Sequence, residues 1–499
     1  MKLKTNITKS LKDLKVAIKK NKANVIKSNQ LSRGSRECLI KANWLKEIIK
    51  GWYMVLNPTE NYQNSTIWYA SFWDFFRLYL EDRLEKDYCL SAESSLDLHL
   101  SQTTIPKQLI VITTRGGSGK CLNLLFNSSV LIYNNPKAIP KEKTEIKNIQ
   151  TMSLAYALCK TAPIFFEKKS IDAEIALRSI KHSFEFTKII LDYDMKIPAS
   201  RIIGAYKYHL KNNKMAEAIT NELELYGMIV KPKNPFKSSA IIKSVKQISI
   251  YADRIIGFWQ LHRETVIKNF PKPSIRNKIK LLNKIDDLYT FDAYNSLSIE
   301  GYQVTIELIK QAQLNKVPLE KNALAAKGYS KAFLEAKKSI AKMITTKKPG
   351  SVFEKDLQKW YINLFAPQIK ANLLSERHLL GYRSSQVYIR NSRHVPPPKE
   401  ALMDSMDALF YCLKNEKNAA VRAILGHYMF VYIHPYIDGN GRIARLLMNS
   451  MFLSGGYSWT IVHEKNRDEY LNCLETITAD QNFLPFVLFL KEEQNREHL

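Results

Sequence analysis

A chain of 499 residues has room for two to four domains, and 45% hydrophobic with 11% aromatic residues excludes a disordered or collagen-like polymer. An excess of 75 Lys and Arg over 47 Asp and Glu leaves a net charge of +28, which suits an anionic partner such as nucleic acid, a membrane surface or nucleotide phosphates; a lysine-rich solvated surface is the plain alternative. No apolar run reaches membrane-spanning length, and the basic N-terminus lacks the apolar core of a signal peptide.

The six cysteines form no Cys-x-x-Cys pair and have no His at ligand spacing, so neither a zinc site nor a disulfide framework is expected. The expectation is a protein of a reducing, bacterial cytoplasm. Delivery into another cell by a dedicated machine would leave no mark in this sequence.

The first fifty residues hold 14 Lys or Arg. Leu11, Leu14 and Ile18 recur at helical spacing, and Cys38 to Ile49 reads as a further helix ended by Gly51. Trp52–Val55 then reads as a short strand. Helices followed by a strand on a basic background suggest a winged helix-turn-helix over residues 1–60, with Arg33 and Arg36 near phosphates or base edges.

Residues 61–240 read as an α/β and helical middle region. Trp73–Leu80 is an expected buried helix. Lys107–Thr114 is an expected strand, Arg115–Lys120 a turn, and Cys121–Phe126 its hairpin partner. The turn GGSGK imitates a phosphate-binding loop, but that pattern needs Gly at 114 and Ser or Thr at 121, where this chain has Thr114 and Cys121. Glu217–Leu225 is an expected helix, Met228–Val230 a short strand, and Lys231–Ser239 a linker. The segments LIKANWLKEIIKGWYMV and LSAESSLDLHLSQTTIPKQLIVIT resemble the N-terminal parts of abortive-infection-type antitoxin and transcriptional regulator proteins. That resemblance implies a winged-helix DNA binder followed by a small α/β domain, and it carries over no catalytic residue.

The chemistry is concentrated near the end of the chain. An apolar helix over 418–433 precedes His434-Pro435-Tyr436-Ile437-Asp438-Gly439-Asn440-Gly441-Arg442-Ile443-Ala444-Arg445, and the helix Leu446–Leu453 follows. A glycine-containing loop at a helix N-terminus offers several backbone N–H groups to an anion. Gly439 and Gly441 permit positive φ and close approach of a phosphate. Arg442 and Arg445, three apart, project from neighbouring points of one helix face and suit a polyphosphate. Asp438 is a hard oxygen ligand for magnesium, and His434 can take a proton near neutral pH. Singly, each of these residues has an ordinary structural explanation; eight specified positions in twelve do not.

The segment resembles the signature of Fic-family proteins, H-P-F-x-[DE]-G-N-G-R-x-x-R, with Tyr436 where Phe is usual. The resemblance implies a mainly α, multidomain chain: an all-helical Fic domain over 245–490, preceded by the winged-helix and small α/β region. It implies that His434 is the general base and Asp438 holds Mg2+. Gly439, Asn440, Gly441 and Arg442 would cradle the α- and β-phosphates of ATP, and Arg445 the γ-phosphate. AMP would pass to a Ser, Thr or Tyr hydroxyl of a protein target, or of the chain itself, and a homodimer is one expected assembly.

Upstream, Ser296-Leu297-Ser298-Ile299-Glu300-Gly301 fits the family's [ST]-x-x-x-E-[GN] inhibitory helix in its N-terminal subclass, placed here near 294–301. Carried over, Glu300 meets Arg445 and displaces the γ-phosphate. Gly381–Arg390 resembles the flap that receives the target as an added strand, with Val387, Ile389 and Arg390 at the docking edge. Arg467 and Tyr470 resemble positions on the base side of the nucleotide. Two other readings use the same residues: removal of AMP from a modified protein, and a DNA-binding regulator whose Fic domain senses ATP.

Overall fold

The computed structural model describes residues 2–58, 65–237, 249–273, 277–314, 318–379 and 381–496. The chain forms two compact units, Met1–Ile241 with Tyr388–Val395, and Ile242–Val387 with Pro396–Leu499.

The first unit opens with α1 (Lys2–Asn21), β1 (Val25–Lys27), α2 (Arg33–Lys41), β2 (Leu45–Ile49) and β3 (Trp52–Val55). The three strands pair antiparallel in the order β1-β3-β2. Leu14 and Ala17 of α1 bury against Leu39 and Leu45, so the helical spacing of the basic N-terminus does produce one apolar face. The helix expected to run to Ile49 stops at Lys41. Asn43 takes φ 57°, and Leu45 and Ile48 then face inward from a strand. Gly51, at φ 84°, turns the β2–β3 hairpin instead of ending a helix.

Next come α3 (Thr66–Leu84), β4 (Tyr88–Leu90), α4 (Ala92–His99), β5 (Gln108–Thr113), β6 (Cys121–Asn123), β7 (Ser129–Asn134), β8 (Thr144–Ile146) and β9 (Ile149–Thr151). Trp68, Phe72, Phe75 and Phe76 of α3 pack on Leu109, Val111, Val130 and Ile132 in the main core of this unit. The expected β5–β6 hairpin is not formed. The sheet order is β4-β5-β7-β6, with β5 parallel to β7 and β6 antiparallel to β7. The inward alternation of Val130 and Ile132 gives β7 the better claim to the β5 edge, while β6 has no buried residue. The turn at Arg115–Lys120 therefore joins two strands that do not pair.

The described residues that follow form α5 (Leu154–Lys160), α6 (Pro163–Lys168), α7 (Ser170–Ser179), α8 (Phe184–Asp192), α9 (Lys196–Gly204) and α10 (Asn213–Leu225). Met228–Val230 is not a strand; it follows the end of α10 as irregular chain. The expected linker is tied down over its described part: Lys233 N donates to Ser200 O, and Phe236 stacks on His209 at 3.6 Å. Ser238 and Ser239 lie outside the described residues.

The second unit has no strand among its described residues; its α-helices are α11 (Ile250–Asn269), α12 (Lys278–Ile299), α13 (Ile306–Gln313), α14 (Lys321–Thr346), α15 (Pro349–Lys370), α16 (Leu402–Asn415), α17 (Ala419–Ile433), α18 (Asn440–Gly455), α19 (Arg467–Asp480) and α20 (Leu484–Asn495). Nearly every side chain of α17 is buried, as its apolar sequence requires of a central helix. It pairs with α18 through the loop at His434–Gly439, which puts the His-to-Arg motif in the middle of the bundle.

Candidate active site

Two helix ends make the site. His434 ends α17 in the left-handed region, φ 51° and ψ 59°, and its Nδ1 lies 3.2 Å from Val431 O. That contact fixes Nδ1 as the protonated nitrogen and leaves the Nε2 lone pair for a base. Burial pushes the imidazole down to about 4; the Val431 contact opposes this, and the nearby Arg383 guanidinium adds to it. The ring is therefore neutral at neutral pH.

The loop is held from both sides. Asn440 is 2% exposed, and its amide accepts from Tyr436 N at 3.0 Å and donates to Tyr436 O at 2.8 Å. Its side chain thus clamps the loop, and what it can offer a phosphate is its backbone N–H. Tyr436 stacks on Tyr361 at 3.6 Å, so the one departure from the motif is a packing residue with a hydroxyl reaching Gln358. Gly439 sits at φ 82°, a conformation costly for any side chain. Gly441 is helical, and its lack of Cβ matters for space alone: a Cβ there would lie 2.2 Å from Glu300 Oε1.

Arg442 is fully buried, with Nη2 on Asp438 Oδ1 at 3.1 Å and its guanidinium 5.1 Å from the Tyr302 ring and 5.2 Å from Phe365. Its Nε and Nη1 are buried without partners. A buried guanidinium beside the N-terminus of α18 can take an anion, because leaving its donors unmet costs about 1–3 kcal/mol. Asp438 Oδ1 also takes the Gly439 N–H at 2.5 Å, and the side chain is 57% exposed. No cluster of three or more His, Cys, Asp or Glu able to hold a metal occurs among the described residues. One exposed carboxylate beside a phosphate cradle still fits Mg2+, which takes one or two carboxylates plus phosphate oxygens and water.

Arg445, 4% exposed, donates Nε to Ser296 Oγ at 3.0 Å, and Nη2 to Ser296 O at 2.9 Å and Glu300 Oε1 at 2.7 Å. Glu300 caps α12, and that helix is bolted in place by buried polar contacts. Asp292 accepts from Tyr329 OH at 2.7 Å and Trp459 Nε1 at 2.9 Å, Asn295 Oδ1 accepts from Glu464 N at 2.8 Å, and Ile299 O accepts from Arg467 Nε at 2.9 Å. Arg467 therefore holds the end of α12. Tyr470 turns its hydroxyl to His427 Nε2 at 2.9 Å and is 2% exposed.

The other sequence-derived positions lie elsewhere. Val387, Ile389 and Arg390 do not form a strand. Tyr388 and Val395 are drawn onto the apolar core of the first unit, and the segment pairs its backbone there through the Thr104–His394 bridge, Val395 N to Thr103 O at 2.6 Å and Ile105 N to Arg393 O at 2.9 Å. Arg33 is exposed and pairs with Glu37 at 2.9 Å, and Arg36 donates to Ser28 O at 3.0 Å.

Arg383 is a site residue that sequence reasoning passed over. It is 4% exposed and donates Nε to His434 O at 2.8 Å, Nη1 to Ser385 O at 2.9 Å, and Nη2 to Pro397 O; its N–H also reaches Pro435 O at 2.9 Å. Its place between Tyr382 and Ser384 in a flap-like segment gave no sign of this duty.

A neutral histidine at one helix end and two buried arginines on the next helix, one of them paired with Glu300, make up the candidate site. Residues 354–452 match the Fic/DOC family, and the chain carries a Fic domain. A protein adenylyltransferase Fic of Nematostella vectensis is 28% identical over 213 residues, covering 41% of this chain and 47% of that protein. One from Drosophila grimshawi is 34% identical over 155 residues, covering 28% of this chain and 32% of that protein. The chain thus spans less than half the length of these curated relatives. A solved structure of a Fic domain containing signaling protein from Bacteroides thetaiotaomicron is 20% identical, covers 48% of this chain and 92% of that chain, and has a TM-score of 0.34. Among the described residues, no helix is long and apolar enough to cross a membrane.

Proposed function

We propose that this chain transfers AMP from Mg-ATP to a Ser, Thr or Tyr hydroxyl of a protein, itself included, and that Glu300 holds the activity low. The observation that carries this reading is the pairing of one neutral histidine with two buried arginines, one of them short of partners and the other occupied by a carboxylate.

The chemistry follows from placement. Arg442 and the first N–H groups of α18 bind the α- and β-phosphates, which aims the α-phosphorus at the loop. The target oxygen attacks that phosphorus while His434 Nε2 accepts its proton. The bond from the α-phosphorus to the bridging oxygen breaks, and pyrophosphate leaves with the electron pair. Catalysis rests on orientation and on charge held in place before the reaction. Asp438 would hold Mg2+, which when bound neutralises phosphate charge. Arg445 takes the γ-phosphate only after Glu300 lets go.

The test is product identity. Mass spectrometry of the modified protein should show one added AMP per site, with pyrophosphate released in equal amount, and label from the γ-position should not stay on the protein. Addition of a lone phosphate, or retention of the γ-label, contradicts the reading.

Removal of AMP is the second reading. Only Oε1 of Glu300 is engaged by Arg445, which leaves Oε2 to position a water. Release of AMP from a purified modified target, lost in Glu300→Gly, would favour it. For the N-terminal segment, the order helix, strand, helix and two-stranded hairpin supports the reading of a winged-helix DNA binder, with α2 as the reading helix. A gel shift whose affinity falls steeply with salt tests that contact.

A further inference from the structure

The ends of α17 and α18 opposite the motif frame a second cavity, about 800 Å³, that the reaction above does not use. We propose that it is a separate site for a small polyphosphate anion. Its wall carries Lys278, Lys347, Lys348, Lys414, Lys417 and Arg422, against the single carboxylate of Glu416.

That carboxylate is already spent. Its Oε2 takes Arg263 Nε at 2.7 Å, and its Oε1 takes Arg263 Nη2 at 3.1 Å and Asn418 N at 2.8 Å. Lys414 is paired with Glu354 and Lys278 donates to Ser454 O at 2.7 Å, whereas Lys347, Lys348 and Lys417 are exposed and form no ion pair among the described residues. The cavity therefore has a surplus of unneutralised cations.

Two further features point to an anion. Arg422, on the cavity wall, is 8% exposed; its Nη1 is held by Glu416 O at 2.7 Å and Lys417 O at 2.9 Å, and its Nη2 has no partner among the described residues. In addition, the 22-residue helix α15 starts here: Lys348 provides no side-chain cap, and the first amide bonded within the helix is that of Val352. The N–H groups of Gly350 and Ser351, both on the wall, lack helical partners and sit at the positive end of the helix dipole. Gly350 is required for this geometry, since a Cβ there would lie 2.5 Å from Leu413 C.

The spread of cations over the wall favours two or more linked phosphates over one. The volume lies in the usual range for small-molecule sites. Inorganic polyphosphates and nucleotide tails share this chemistry. At 1.5 Å per residue, the 15 residues of α17 place the cavity about 22 Å from His434. It is thus a site distinct from the Arg442 cradle.

The test is calorimetric titration of the full chain, Glu300 intact, with inorganic pyrophosphate and in parallel with AMP. Pyrophosphate should bind the parent protein and should still bind Arg442→Ala, in which the cradle of the reaction is removed, and adding Lys348→Ala/Lys417→Ala to Arg442→Ala should weaken that remaining binding at least about tenfold. Arg422→Lys, which removes the guanidinium fork but keeps the charge, should also weaken it. AMP, with one phosphate, should bind this site more weakly than pyrophosphate; equal or tighter AMP binding that the added lysine changes also abolish would overturn the polyphosphate assignment. No pyrophosphate binding, binding lost in Arg442→Ala, or binding to Arg442→Ala that the added lysine changes leave unchanged, would overturn the site.

Discussion

Glu300 Oε1 lies 2.7 Å from Arg445 Nη2 and fills the space beside Gly441, where a Cβ would come within 2.2 Å of it. One carboxylate oxygen thus occupies both the guanidinium and the floor of the phosphate loop. Under the proposed function, a nucleotide's terminal phosphate and Glu300 would be two anions competing for one cation.

Removing Glu300 should therefore destabilise the empty protein. Arg445 is 4% exposed and would keep its bonds to Ser296 but lose its carboxylate partner. Glu300→Gly is expected to lose about 1–3 kcal/mol without nucleotide, and Mg-ATP should restore much of it by binding the folded form. Urea midpoints with and without Mg-ATP check this. A variant as stable as the parent in both conditions would show that the pair does no work in the fold.

The pH dependence of the reaction should carry the mark of a buried base. His434 is pushed down to about 4, chiefly by burial, so its Nε2 stays free as pH falls through the ordinary histidine range. Protonation removes the base, so the rate should drop only as pH falls toward about 4. In the Glu300→Gly background the rate is expected to be flat from about pH 7.5 to about 5.5. An acid limb centred near the unperturbed histidine value, about 6.5, would contradict the burial argument.

Stability has its own pH signature in Asp292. Burial raises this carboxyl to about 6, against about 3.9 in an unfolded chain. The folded form binds the proton more tightly, so the stability it contributes is complete below about pH 4 and is lost as pH rises through about 6. The difference amounts to about 3 kcal/mol. Asp292→Asn should flatten this part of the pH–stability curve; a variant curve parallel to the parent's would remove Asp292 from the account.

Arg383 should behave as a positioning residue. Arg383→Ala leaves the carbonyls of His434, Ser385 and Pro397 without their donor. The expected loss is about 3 kcal/mol in stability. In the Glu300→Gly background the rate should fall at least about tenfold because His434 is no longer held in register. An unchanged rate with lowered stability would make Arg383 structural only.

The candidate loop was legible because its residues are contiguous. His434 to Arg445 carry their chemistry within twelve positions, and Glu300 lies in its own short pattern. Arg383 was hidden because its role depends on meeting His434 fifty-one residues away, and no local spacing records that. The β5–β7 pairing was hidden for a similar reason: a turn beside two apolar runs reads as a hairpin, whereas the partner is chosen by which strand has two residues to bury. The flap misled in the other direction. Val387 and Ile389 alternate as a strand should, but Tyr388 and Val395 have a core to enter, and their burial decides the segment's path.

The most direct test is incorporation of label from α-labelled ATP with magnesium into the full chain and candidate targets. Parent, Glu300→Gly and Glu300→Gly/His434→Ala would be compared. Labelling should be weak in the parent, strong with Glu300→Gly, and absent with the double variant. Equal labelling by parent and Glu300→Gly would contradict the plug, and labelling that survives loss of His434 would contradict the base.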